Sequence, residues 1–185
     1  MDIVTPAFFP DPTFGWLFYG LLVACCLAAV YTDLKWQRLP NYITLPACLL
    51  GLVMNLIRSG WLGTLNEPGR FFGLTGVSGG LVEGLSFAVA GFAVAFGLFV
   101  LLLILRKCGA GDVKLMAALG TWVGPLWFLF VFAGSIIAVI PILLIWWGYA
   151  YARKQNPGLK LSFALPALIS VASVTLWLWR KALLN

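Results

Sequence analysis

The sequence predicts an all-α membrane protein, a polytopic bundle of about six transmembrane helices, and two observations predict it. Hydrophobic residues make up 62% of the chain against 10% charged, with a mean hydropathy of +1.01, a balance that a soluble domain of this length does not sustain. The apolar residues are also gathered into runs, at 15–32, 42–57, 81–105, 112–124, 126–149 and 161–179. At 1.5 Å per residue most of these approach the roughly 20 residues that carry a helix across a hydrocarbon core of about 30 Å. A closed barrel is the other way to satisfy every backbone group in lipid, but the runs lack the alternation of barrel strands.

The first run is expected to stay as an anchor, because the residues before it carry Asp2, Asp11 and three prolines and no Lys or Arg, unlike a signal peptide. The second and fourth runs are short. The fourth reaches span length only if Asp112 lies inside the helix and the helix continues toward Gly124-Pro125, a turn signal. Between the second and third, Gly60 to Gly84 is rich in glycine and is expected to be a flexible outer loop, with Glu83 solvated at its membrane boundary. Gly80-x-x-x-Gly84 and Gly120-x-x-x-Gly124 have the spacing of close helix contacts, a weak signal in so glycine-rich a chain. Trp146, Trp147, Tyr149, Tyr151, Trp177 and Trp179 fit interfacial belts.

Charge sets the orientation. If the joint from Asp33 to Asn41 faces the cytosol, Lys35, Arg38, Arg106, Lys107, Lys114, Arg153, Lys154 and Lys160 share that side, leaving Arg58, Arg70, Arg180 and Lys181 outside. The positive-inside rule then puts the amino terminus outside. The basic residues lie in short joints between apolar runs, so they are expected to meet lipid headgroups and not nucleic acid.

The chain has no histidine, which removes the usual base of a Ser or Cys hydrolase and the commonest zinc ligand. Cys25, Cys26, Cys48 and Cys108 show no Cys-x-x-Cys spacing and read as small hydrophobes, so neither a metal nor an organic cofactor is expected. What remains is carboxylates. Asp33 ends the first run and Asp112, in Gly109-Ala110-Gly111-Asp112, opens the fourth; an ionisable group at the membrane edge marks a functional site by default. Two crossings separate them, so both come to the same face. Two neighbouring aspartates cannot both ionise, which leaves one acid and one base, enough to activate water and protonate a leaving amine. The same pair could instead serve as a relay in a proton- or ion-coupled carrier subunit, and a purely structural assembly role is a third reading. Gly109 and Gly111 allow a sharp backbone bend and close approach before Asp112. Lys114 lies roughly 200° around the helix from Asp112 and reads as a headgroup anchor.

The blocks Asp33-Leu34-Lys35-Trp36-Gln37-Arg38-Leu39-Pro40-Asn41-Tyr42-Ile43-Thr44 and Gly109-Ala110-Gly111-Asp112-Val113-Lys114-Leu115 resemble the two signature regions of the type IV prepilin peptidases, GxGD-type intramembrane aspartic proteases. The resemblance implies one membrane-embedded peptidase domain over 1–185 with Asp33 and Asp112 as the catalytic pair. It implies Gly109, Gly111, Lys114, Pro40 and Asn41 as site-shaping residues, together with Pro166 in a Phe-x-x-Pro element. It further implies a prepilin or pseudopilin precursor as substrate, with a Lys- or Arg-rich leader, a Gly before the scissile bond and an apolar helix after it. Pilus or secretion assembly machinery would be the partner, and the bacterial inner membrane the location, with the site facing the cytosol. Long members of that family carry a cytosolic Cys-x-x-Cys region before the peptidase part, associated with N-methylation. Nothing comparable precedes Asp33, so a short peptidase-only form without methyltransferase activity is expected.

Overall fold

The computed structural model describes residues 9–36, 39–67, 69, 72–105, 108–152 and 168–169. Among these the chain forms helices α1 (Pro12–Trp36), α2 (Asn41–Thr64), α3 (Gly76–Ile104) and α4 (Ala110–Ala152), and no strand. Four segments are long and apolar enough to cross a membrane: Pro12–Asp33, Asn41–Thr64, Gly76–Ile104 and Ala110–Ala138. Large apolar side chains such as Leu17, Leu27, Val89, Phe96, Phe130 and Ile137 stay exposed on the outside of the bundle, an arrangement suited to lipid and not to water.

The sequence reading counts about six spans, and the described residues show four. The runs at 112–124 and 126–149 join in α4, whose regular geometry is interrupted at Gly124 (φ 75°, ψ 176°) just before Pro125. The run at 161–179, with Pro166, Trp177 and Trp179, lies outside the described residues apart from the helical pair 168–169, as do Arg153, Lys154 and Lys160.

The expected outer loop is also shorter than glycine content suggested. Helix α2 runs on past Ile57 through Arg58, Ser59 and Gly60 to Thr64, and α3 begins at Gly76. The glycines are there for packing. A Cβ on Gly80 would overlap the Ser59 carbonyl, one on Gly84 the Asn55 carbonyl, and one on Gly63 the Gly76 carbonyl. These contacts step by four residues along each antiparallel helix, so α2 and α3 meet backbone to backbone along one seam. Arg58, placed outside by charge counting, is buried with its guanidinium 4.6 Å from the centre of the Phe87 ring.

Helix α2 ends in a Schellman motif: the Glu67 N–H bonds to the Leu62 carbonyl (3.2 Å) and the Asn66 N–H to that of Gly63 (3.2 Å), with Asn66 left-handed at φ 56°. Glu83 corrects a further expectation. It is buried, not solvated, and its Oε1 accepts the backbone N–H groups of Phe72 (2.6 Å) and Leu74 (3.2 Å). A carboxylate that gathers backbone donors in this way fixes the α2–α3 connection.

The break in α4 is closed from α2. Pro125 has no N–H, so the Thr121 carbonyl four residues earlier loses its helical donor. Asn55, wholly buried in α2, supplies one: its Nδ2 donates to the Thr121 carbonyl (2.7 Å), with the Trp122 carbonyl (3.1 Å) also in reach. Nearby, Trp122 Nε1 donates to the Ala47 carbonyl (2.8 Å) and the Thr121 hydroxyl to the Ala118 carbonyl (2.6 Å). Gly51 leaves room for this, since a Cβ there would sit 2.6 Å from the Trp122 ring. On its other side Trp122 meets Phe18 of α1 edge-on at 5.1 Å. The stripe Phe14, Phe18, Leu22, Cys26 and Ala29 turns the same face of α1 to the core.

Asn55→Leu keeps the volume and removes the donor, so it is expected to lower stability by about 1–2 kcal/mol. The measurement is the melting temperature of the purified protein in detergent. Pro125→Ala in the same background returns an N–H four residues after Thr121 and should recover part of the loss; an unchanged melting temperature for Asn55→Leu would show that the cap contributes nothing.

Candidate active site

Helix α1 leaves the bundle and α2 and α4 enter it at one end. Asp33 lies in the last turn of α1 and is half-buried, while Thr32 beside it is buried, its hydroxyl donating to the Ala28 and Ala29 carbonyls (3.1 and 3.0 Å). Three residues of α1 remain after Asp33 before the short joint to Asn41, the first residue of α2.

Asp112 is the third residue of α4 and is 7% exposed. Its Oδ2 accepts the Gly109 N–H at 3.0 Å, while the Gly109 carbonyl accepts the Val113 N–H at 3.3 Å. Gly109 is therefore the N-cap, and Asp112 is the third-position carboxylate that reaches back to it, half of a capping box. The N-terminal end of the helix presents its amide donors to that carboxylate.

The glycines act differently from the expected bend. Neither Gly109 nor Gly111 is among the described residues with positive φ, which are Asn66, Gly73, Gly76 and Gly124. A Cβ on Gly111 would stand 3.3 Å from the Cβ of Leu39, whereas one on Gly109 would meet only Asp112 Oδ2, at 3.4 Å. Close approach, and not an unusual backbone angle, is what Gly111 supplies. Leu39 is buried by that contact, and sequence reasoning passed over it because nothing marks a leucine as functional in so apolar a chain.

Lys114 also departs from its expected place. It is exposed on the side of α4 away from buried Asp112, but its Nζ donates to Asn41 Oδ1 at 2.8 Å instead of serving only as an anchor in the headgroups. Pro40, the N-cap of α2, is extended (φ −75°, ψ 149°) between Leu39 and Asn41. The structure thus brings Asn41 to Lys114, Leu39 to Gly111 and Gly109 to Asp112; Pro166 lies outside the described residues. From this end an apolar furrow runs into the bundle, lined by Cys26 and Ala29 of α1, Thr44 of α2, and Leu115, Ala118 and Leu119 of α4.

Residues 20–144 match the model of the type IV leader peptidase family. The chain belongs to that family. It is 31% identical over 134 residues to the prepilin leader peptidase/N-methyltransferase of Xanthomonas campestris pv. campestris, a match covering 71% of this chain and 38% of that protein. Proteins of the same description from Aeromonas hydrophila (36% over 116 residues; 61% of this chain, 34% of the relative) and Neisseria gonorrhoeae (32% over 112; 60% and 34%) are similar. The matched part therefore spans little more than a third of these curated relatives. No solved structure matches the chain.

Cys108 lies in the α3–α4 joint, its thiol 3.5 Å from the Phe99 carbonyl. Burial, and after it the Asp112 carboxylate, push this thiol up from its ordinary value, so at neutral pH it holds its proton. In a variant retaining Cys108 alone, alkylation is expected to be slow near pH 7 and to speed up as pH rises. Asp112→Asn removes the negative neighbour, lowers the thiol pKa and should accelerate labelling at neutral pH. A rate indifferent to Asp112→Asn would separate the two groups.

Proposed function

We propose that the protein is an intramembrane aspartic endopeptidase that removes the short basic leader of prepilin-like precursors, with Asp33 and Asp112 as the catalytic pair. The observation that carries this reading is the seating of the α1–α2 joint on the first turns of α4, which draws together the two segments bearing these aspartates. Membership of a peptidase family supports the reaction class, and the names of the relatives support the substrate class.

In the proposed reaction one aspartate is ionised and takes a proton from water as the oxygen adds to the scissile carbonyl. The other is protonated and hydrogen-bonds that carbonyl. Collapse of the tetrahedral intermediate breaks the C–N bond, and the proton goes to the leaving amine, giving a carboxyl and an amino terminus. The Gly109 N–H and the helix start lower the cost of charge on Asp112. The protons belong to the pair, since coupled carboxylates titrate together. An apolar segment following the scissile bond would pack against the bundle by its side chains.

The full arrangement proposed is a six-span bundle in a bacterial inner membrane, with the amino terminus outside and the site facing the cytosol. Membrane lipid and a pilus or secretion assembly would be its surroundings, and Gly109 and Gly111 would shape the site.

Asp33→Asn and Asp112→Asn should each reduce cleavage of a leader-bearing precursor by at least about 100-fold, the scale of positioned acid–base catalysis, with the protein still inserted and folded. Near wild-type processing by either variant would remove the dyad mechanism. Orientation has its own measurement in intact cells, with single cysteines in a cysteine-free background. Gln37→Cys should be shielded from an impermeant thiol reagent and Asn66→Cys should label; the reverse pattern turns the topology over.

A further inference from the structure

Leu39, Pro40 and Asn41 touch α4 at two points. Leu39 is buried against Gly111, whose missing side chain leaves the space, and the Asn41 amide oxygen takes a hydrogen bond from Lys114 at 2.8 Å. Gly111 and Lys114 are three residues apart, so the two contacts fall one turn apart on α4. Pro40 stands between the contacting residues with φ fixed by its ring. One contact alone would let the joint pivot. Two contacts separated by a rigid residue set both its position and its direction.

We propose that Lys114 is a positioning residue which, through Asn41, clips the α1–α2 joint onto the start of α4 and so sets Asp33 against Asp112. The inference rests on the endopeptidase reading for its consequence, though not for its geometry. Lys114 is unsuited to direct catalysis, because it stands about 200° around the helix from Asp112 and is exposed where Asp112 is buried. A lysine serving only as a membrane anchor would extend its ammonium toward headgroups. Here the ammonium instead reaches a side chain 73 residues away in sequence. Asn41 follows Asp33 by eight residues, of which 34–36 continue α1 and Pro40 has its φ fixed by the ring, so the position of Asn41 bears on the end of α1. Aspartates that must share a proton tolerate little displacement, since about 1 Å can cost 10²-fold in rate.

Two arms test this with the full chain in lipid nanodiscs. In the first, Cys25, Cys26, Cys48 and Cys108 are replaced by Ser, and the pair Leu39→Cys with Gly111→Cys is oxidised with copper-phenanthroline. The Cβ separation of 3.3 Å is close to that of a disulfide, so rapid cross-linking is expected. Adding Lys114→Met or Asn41→Ala should slow it several-fold, and adding both should slow it no further than one. In the second arm, otherwise native chains cleave a fluorogenic peptide with a Lys- and Arg-rich leader, a Gly before the scissile bond and an apolar helix after it. Lys114→Met and Asn41→Ala should each lower kcat by about 10-fold or more with KM little changed, without additivity in the double variant. Asn41→Asp, which keeps the acceptor, should restore most of kcat. Cross-linking indifferent to Lys114, or additive losses of kcat, would overturn the clip. If the unaltered chain cleaves nothing while cross-linking still depends on Lys114, the peptidase reading fails and the clip stands. The kcat arm needs no cysteine pair, so a misfolded pair leaves that arm decisive.

Discussion

The hydrogen bonds from Asn55 to the carbonyls at the α4 break answer the constraint that governs the whole structure: lipid offers no partner to an exposed peptide group. Gly124 and Pro125 interrupt a long helix in its apolar middle, and without a donor from elsewhere the freed carbonyls would each cost on the order of 1–3 kcal/mol. Because the donor comes from α2, closing the break also fixes α2 to α4. Trp122, one residue beyond Thr121, then presses its ring on Phe18 and its N–H on Ala47, which brings α1 into the same assembly. The half of α4 that precedes the break is the half that carries Asp112.

Close backbone approach supplies the rest of the rigidity. Along the α2–α3 seam Gly63, Gly80 and Gly84 each lie where a side chain would strike a neighbouring carbonyl, and Gly91 and Gly120 do the same between α3 and α4. In lipid, apolar side chains gain little by leaving one apolar environment for another, so van der Waals contact between helices carries more of the association than it does in water. Glycine is therefore concentrated where helices touch. Read as linker composition, it suggested a long flexible segment between the second and third spans; as packing, it extends both helices and leaves a short connection held by Glu83.

That misreading shows what was legible in the sequence and what was not. Composition was enough for the helical membrane class, and Asp33 and Asp112 could be singled out as candidates because ionisable groups are scarce here and each stands out. The family match over 20–144 agrees with the two blocks that suggested it. Asn55, Leu39 and the seam glycines could not be assigned roles from one sequence, since each acts through a partner far along the chain. Asn55 did leave a signal, as a strongly hydrogen-bonding side chain inside an apolar run, with a Gly-Pro break downstream lacking a donor. Glu83 was misassigned for a related reason: an acidic residue at a span end was taken as solvated, whereas it is buried with backbone N–H groups as partners, and Arg58, counted by its charge alone, is buried as well.

The start of α4 shows how a helix end holds a carboxylate at this edge of the bundle. A helix N-terminus has amide donors to spare, and Asp112 at its third position uses the Gly109 amide. Lys114, two residues on, is turned to the opposite side of the helix and engaged by Asn41. The motif therefore separates two demands by helical geometry. Position 112 keeps a carboxylate buried, while positions 111 and 114 bind the neighbouring joint, one by the absence of a side chain and the other by a long one.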